Sequence, residues 1–301
     1  MHEVVVPRDQ PFDLDLTLGC GQAFRWAKQG EWWRGVAGGR RVHLKQDGSV
    51  IKVQGAEPDW VIHYLHLDAD LPAIVDAIDR DPTIHTALSA YTGLRVIRQE
   101  PFEVLASYIC ATYSNIPGIT KKIQLLSERF GEERVDEWGT FHSFPGPGEL
   151  SSGGVCTLRD CRLGYRAPYI AGTSQAVMND AKWAEKIRLM PYEQAFQTLL
   201  ALPGVGAKVA DCTLLFGFQE YRAFPVDVWI HRIIAKHYFP GHLKVREREV
   251  REFGRRHFGN YAGYAQEYLY AARRLLTPKT EISGDENSAK KKRREKMSGP
   301  G

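Results

Sequence analysis

The chain has few cysteines and no cysteine pattern. The five stand at 20, 110, 156, 161 and 212, with no Cys-X-X-Cys pair. Cys156 and Cys161, separated by four residues, do not by themselves make a zinc site. An odd number of scattered thiols suits a reducing compartment better than a disulfide framework. No stretch is apolar for long enough to span a membrane, and the start Met-His-Glu-Val-Val-Val-Pro has no signal-peptide pattern. There is no internal repeat. Charge of one sign is also lacking: the net is +4 over 301 residues. Residues 281–301, with six Lys/Arg against four Asp/Glu, supply +2 of it. A nucleic-acid footprint on this chain would be a local patch, not a global field.

The 43% hydrophobic content permits a substantial core, and the length fits one large domain or two to three small ones. Residues 1–55 predict strands. Asp13-Leu14-Asp15-Leu16-Thr17-Leu18 alternates, Phe24 to Trp33 is aromatic, and Asp47-Gly48 turns before Val50-Ile51-Lys52-Val53. Trp32-Trp33 reads as sheet core. Trp60 to Ile78 turns helical. From Glu100 to Leu276 the apolar spacing is mostly helical, broken at Pro117, Pro145 to Gly148, Gly153-Gly154 and Pro203. The expected fold is α+β: an N-terminal antiparallel sheet with flanking helices over 1–95, then helical domains over 96–277. From Pro278 the chain is polar and is expected to be disordered. Its KKKRREK run reads as a nuclear signal, a nonspecific DNA tether or a solvated tail. His63 and His66 share a predicted helix, but nothing nearby completes a metal site.

Residues 202–238 carry the chemistry. Leu202-Pro203-Gly204-Val205-Gly206 reads as a hairpin between two helices over about 192–218. Pro203 stops the first helix, and the glycines permit close backbone approach. The second helix begins near Ala207, so its open N–H groups and dipole suit a phosphate. An ordinary tight turn between helices is the plain alternative. Lys208 lies in the first turn, where the dipole disfavours a cation. Positive potential there, with burial, favours the neutral amine that a nucleophile needs. Cys212, four residues on, shares its face and could touch a flat ligand, or be a structural thiol. Asp211 reads as an acid that complements the helix dipole. Asp227 follows Phe224-Pro225-Val226 at an N-cap position. Capping alone accounts for it, but a capped carboxylate is also rigid and suited to face a developing positive charge.

With these residues in place, the chain resembles the 8-oxoguanine DNA glycosylases of the helix-hairpin-helix superfamily. The resemblance runs through GQAFRW at 21–26, RVIRQEPFEVLASYICATYSNIPGIT at 95–120 and LGYRAPYI at 163–170. It continues through LPGVGAKVADC at 202–212, PVDVWIHR at 225–232 and YAGYAQEYLY at 261–270. It implies that Lys208 attacks C1′ of the damaged nucleotide as a Schiff-base nucleophile, and that Asp227 stabilises the oxocarbenium-like state. It implies that the Gly21 carbonyl reads the N7 hydrogen of 8-oxoguanine. Cys212 and Tyr270 sandwich the flipped base, Pro225 lines its pocket and Gln266 reads its Watson–Crick edge. Gly204, Val205 and Gly206 hold the DNA backbone. Asn115, Tyr165 and Arg166 probe the gap and the opposite cytosine. Gly118 stands where eukaryotic members carry a second arginine for that cytosine. Tyr113 replaces an asparagine, Trp229 a histidine and Arg273 an acid. A weaker cytosine preference is therefore expected.

The implied partner is duplex DNA containing oxidised guanine, bound by a monomer inside the cell: nucleoid or nucleus according to the organism. No cofactor is expected. The iron–sulfur loop of the endonuclease III relatives needs four cysteines, and none follows Cys212. Two other functions fit less well. A monofunctional alkylbase glycosylase would lack Lys208, and a non-catalytic helix-hairpin-helix binding module would need neither Lys208 nor Asp227.

Overall fold

The computed structural model describes residues 1–277; the KKKRREK run lies outside them. Five strands form one antiparallel sheet in the order β1-β5-β4-β3-β2. They are β1 (His2–Val5), β2 (Trp26–Gln29), β3 (Trp32–Ala37), β4 (Arg40–Asp47) and β5 (Val50–Gln54), with α1 (Leu14–Gly19) between the first two. The β4–β5 turn falls at Asp47-Gly48, as the sequence predicts. One sheet face is apolar: Val42, Leu44, Ile51 and Val53 are fully buried. Trp33 joins this core, and its indole N–H donates to Asp15 Oδ1 at 2.7 Å.

The strand predicted over 13–18 is a helix. Asp13 caps it, its carboxylate accepting from Leu16 N at 2.8 Å. The alternation that suggested a strand also places Leu14 and Leu18 four residues apart. Both are buried, so the helical period wins.

Five helices follow: α2 (Pro58–Tyr64), α3 (Leu71–Ile78), α4 (Pro82–Ala90), α5 (Pro101–Ala111) and α6 (Ile116–Phe130). A hairpin of β6 (Glu133–Asp136) and β7 (Gly139–His142) interrupts them. The sequence offers no sign of it, because Glu133, Arg134 and Val135 are exposed and no apolar face alternates. It docks on the sheet through polar contacts and through rings, Trp138 against His43 and Phe141 under Arg41. Arg41 pairs with Asp136 at 3.1 Å, and Arg25 donates to the His142 carbonyl at 2.6 Å.

The rest is helical: α7 (Pro147–Ser152), α8 (Gly154–Leu158), α9 (Ala167–Met178), α10 (Trp183–Leu189), α11 (Tyr192–Leu200) and α12 (Ala207–Cys212). After these come α13 (Val228–Tyr238), α14 (Glu247–Phe258), α15 (Ala262–Ala271) and α16 (Arg273–Leu276). Buried apolar residues of α5, α6, α9 and α11–α15 form one large core. Leu71, Ile74, Ile78, Ile84 and Leu88, from α3 and α4, also belong to it. The core centres on α15, whose residues 262–269 are all buried.

A polar seam fastens the sheet to this core. Arg95 is fully buried; its guanidinium donates to the carbonyls of His66 and Ala69 and to Gln10 Oε1. Gln22 is nearly as buried. It donates to the carbonyls of Thr17 and Arg95 at 2.8 Å and accepts from Ile97 N at 2.9 Å. Buried polar groups left unpaired would be costly, so this lattice fixes the loop that carries Gly21. His66 is buried and bonded to Tyr264 Oη at 2.8 Å, while His63 faces Arg98.

Candidate active site

The hairpin forms as predicted. α11 ends at Leu200, and α12 starts at Ala207 after an N-cap at Gly206 with no side-chain cap bond. Gly204 has φ +75, and a Cβ there would lie 2.5 Å from Tyr169 Cβ. Only glycine suits both demands. Val205 is buried between the helices. The hairpin leans on α9: Thr173 Oγ1 donates to the Pro203 carbonyl at 2.7 Å.

Asp211, read from the sequence as a structural acid complementing the helix dipole, does more than that. It is fully buried, and Tyr192 Oη of α11 donates to its Oδ1 at 2.6 Å. It is thus the polar tie between the two helices of the hairpin. Burial pushes its carboxyl up to about 7, opposed by the Tyr192 bond and the charges of Arg251 and Arg255. The folded pKa lies above the unfolded one, near 3.8. Between those values the folded state holds more protons, so this group's contribution to stability falls as pH rises from about 4 to 7. Asp211→Asn keeps an acceptor for Tyr192 and cannot ionise. Its stability relative to wild type should improve across that window, by up to about 1.4 kcal/mol per pH unit. Denaturant midpoints of both proteins at pH 4.5, 6 and 7.5 check this; a constant difference refutes it.

Lys208, in the first turn of α12, is partly buried, with Nζ 5.9 Å from the Tyr108 ring centroid. Tyr108 in turn stacks on Phe216 and meets Phe24 edge-on. Cys212, one turn beyond Lys208, is buried. Burial pushes its thiol well above the ordinary range, against the charge of Lys208. Asp227 caps α13, Oδ1 accepting from Trp229 N at 3.0 Å and Ile230 N at 2.8 Å. Both bonds fall on one oxygen and fix the carboxylate plane. Pro225, just before it, is buried.

Gly21, after α1, has φ +101. A Cβ on it would lie 3.2 Å from Ile116 Cδ1 and 3.9 Å from Tyr270 Cε1. The Gly21 loop, the start of α6 and the end of α15 therefore meet. Gln266 on α15 is 4% exposed, and its Oε1 is buried with no hydrogen-bond partner. Arg273 lies 4.2 Å from the Tyr270 ring centroid. Burial pushes the Tyr270 phenol up to about 12, and the charges of Arg273 and Asp227 also reach it.

A second group lies on a rim. Asn115 caps α6, accepting from Gly118 N at 3.0 Å. A Cβ at Gly118 would come within 2.9 Å of both Asn115 Oδ1 and Ser114 Oγ, so the cap itself occupies the space beside the glycine. Lys122, one turn on, donates to Ser114 Oγ at 2.7 Å and to the Gly118 carbonyl. Tyr165 is half exposed. Arg166 is only 8% exposed: Nε donates to the Thr112 carbonyl at 3.0 Å, Nη2 donates to the same oxygen, and the guanidinium packs on the Tyr165 ring. Tyr113, beside that carbonyl, is almost fully exposed in a left-handed conformation.

The structure thus brings the sequence-predicted residues into two neighbouring groups. Gly21, Lys208, Cys212, Pro225, Asp227, Gln266 and Tyr270 surround the α12–α13–α15 junction. In the second group, Tyr165 and Arg166 share the Thr112 carbonyl, Tyr165 meets Tyr169, which crowds Gly204, and Asn115 adjoins Ile116, which lies close to Gly21. Sequence reasoning missed Gln22, Cys20 and Glu267. The first lies inside the GQAFRW segment, and the last is an acid within the apolar stretch of α15, the one signal available.

Residues 4–105 match the family described as the 8-oxoguanine DNA glycosylase N-terminal domain. A protein of Methanothermobacter thermautotrophicus named "Probable N-glycosylase/DNA lyase" is 31% identical over 86% of this chain and 92% of its own length. The chain belongs to the 8-oxoguanine DNA glycosylase/lyase family. Arabidopsis thaliana N-glycosylase/DNA lyase OGG1 is 32% identical, aligned over 86% of this chain and 76% of that protein. Among solved structures, the Clostridium acetobutylicum 8-oxoguanine glycosylase/lyase bound to double-stranded DNA is similar, with a TM-score of 0.83 at 30% identity. That match covers 88% of this chain and 93% of the other. A 3-methyladenine DNA glycosylase from Archaeoglobus fulgidus, at 21% identity and a TM-score of 0.74, shares the fold. The family's sheet-plus-helices architecture is the one described above. Among the described residues no group of three or more His, Cys, Asp or Glu is placed to hold a metal, and no helix is long and apolar enough to cross a membrane.

Proposed function

We propose that this chain is a bifunctional DNA glycosylase/lyase that extrudes 8-oxoguanine from duplex DNA, excises it and then cuts the strand. The observation that carries this is the placement of an amine, Lys208, and a capped carboxylate, Asp227, around one buried junction with Cys212, Gln266 and Tyr270. A base inside a duplex is out of reach, so it must be turned out into such a pocket. Lys208 Nζ bonds to C1′ while the C1′–N9 bond breaks, and the base leaves with the electron pair. Asp227 faces the positive charge that develops on the sugar. Loss of the amine protons and ring opening give an imine. β-Elimination then takes a C2′ proton and releases the 3′ phosphate. The amine and the carboxylate suffice for these steps, so no cofactor is required of the protein.

Cys212 and Tyr270 hold the two faces of the base. Gln266 offers it an unpaired buried oxygen, which explains why that atom is left without a partner. The Gly21 carbonyl accepts the N7 hydrogen that distinguishes 8-oxoguanine from guanine. Gly204, Val205 and Gly206 grip the phosphates, and Tyr165 fills the vacated stack. The protein acts as a monomer in the compartment that holds the DNA. The test is borohydride trapping on duplexes carrying 8-oxoguanine opposite each of the four bases. A covalent adduct supports the proposal. Base release without an adduct means a monofunctional glycosylase, and binding alone means a non-catalytic module.

Arg166 is the remaining reader of the opposite cytosine, since Gly118 supplies no side chain. To reach a base it must release the Thr112 carbonyl. Arg166→Ala should lower the excision preference for cytosine over the other three bases by roughly 5- to 150-fold, the equivalent of about 1–3 kcal/mol. Single-turnover rates against all four opposite bases measure it. An equal loss opposite every base would leave Arg166 a strut or a phosphate contact.

A further inference from the structure

Glu267 is the acid that the mechanism leaves unused. It lies on α15 beside Gln266 and three residues before Tyr270, and it is 5% exposed. Its Oε2 is 3.6 Å from Cys20 Sγ. Cys20 immediately precedes Gly21 and is itself buried, its Sγ also within 3.4 Å of the Thr17 carbonyl. The Gly21 loop is thus held at two points. Gln22 lashes it to residues 95–97, and Glu267 lashes it to α15.

We propose that Glu267 is a positioning residue for the glycosylase reaction, whose carboxyl group holds the Cys20–Gly21 wall of the base pocket against α15. The proposal rests on the glycosylase reading above. A buried acid is an expensive way to hold a thiol, and an apolar pair would pack as well. What the carboxyl adds is sensitivity to protons. Several groups from the surrounding elements interact with it electrostatically: Cys20, Tyr108 of α5, Lys208 and Cys212 of α12, Asp227 ahead of α13, Tyr270 of α15 and Arg273 of α16. Burial pushes the carboxyl up to about 7. The Cys20 bond lowers it, Asp227 raises it, and Arg273 and Lys208 lower it. Burial, and then the charge of Glu267, push the Cys20 thiol well above its ordinary value, so it stays protonated.

Below pH 7 the wall is therefore held by an uncharged acid–thiol pair. Above it, a second carboxylate, within electrostatic reach of Asp227, stands on the Cys20–Gly21 wall of the proposed base pocket. The departing base carries away the C1′–N9 electron pair, and a new negative charge there opposes its departure.

The experiment is single-turnover excision of 8-oxoguanine from pH 5.5 to 9 by wild type, Glu267→Gln and Glu267→Ala. Wild-type rates should fall above about pH 7, by up to about tenfold per unit. Glu267→Ala should excise at least about tenfold more slowly at pH 6, because the wall is no longer held. Glu267→Gln, an uncharged mimic of the acid, should restore most of that loss and abolish the alkaline fall. A Gln variant with the wild-type pH profile, or an Ala variant equal to wild type throughout, overturns the proposal; the Gln variant decides even where the Ala variant does not fold. Wild type that releases no 8-oxoguanine at pH 6 would instead overturn the glycosylase reading itself.

Discussion

Lys208→Gln should give no borohydride adduct and no strand cleavage, while its affinity for duplexes containing 8-oxoguanine stays within a few-fold of wild type. Only an amine can form an imine with C1′, and an amide has no comparable nucleophile. Glutamine is shorter, uncharged and still polar, so a partly buried site near the Tyr108 ring should accept it without unfolding. Trapping gels report the adduct, and a binding titration on the same duplex reports the affinity. Adduct formed by the mutant would mean that another amine is the nucleophile.

The second large effect is on Asp227. Asparagine retains a side-chain oxygen for the N–H groups of Trp229 and Ile230, so the cap on α13 survives in Asp227→Asn. What disappears is the negative charge proposed to face the sugar. Single-turnover excision should drop by roughly two to four decades, the scale of losing one preorganised electrostatic group. The thermal midpoint should move little. A folded mutant with an unaltered rate would make Asp227 a cap and nothing more.

The parts of the site written in consecutive residues were legible in the sequence. The hairpin, the helix start at Ala207 and the cap at Asp227 each follow from local rules: proline ends, glycine turns, a short acid caps. Contacts between distant segments were not. Nothing near Asp211 says that Tyr192 lies against it, so a buried tie between helices read only as a structural acid complementing the helix dipole. Nothing near Arg166 announces Thr112, so a side chain expected to point outward is found folded onto a carbonyl. Helix α1 failed differently: its residues satisfy both periods, and the contest was settled by Asp13 and by where Leu14 and Leu18 could be buried. The β6–β7 hairpin left no trace because one salt bridge, carbonyl contacts and two rings, not an alternating apolar face, hold it to the sheet.

The hairpin and α9 have a mechanical consequence. Pro203 is bonded to Thr173, a Cβ on Gly172 would lie 3.1 Å from Pro203, and one on Gly204 would lie 2.5 Å from Tyr169. The turn proposed to grip phosphate and α9, the helix just after Tyr165, are therefore packed as one block. Where a strand settles into the turn as proposed, the load passes through this block to Tyr165, which meets Tyr169 edge-on. On the proposed function, holding and bending the duplex would then be a single event, and loosening that block would let DNA bind without being bent.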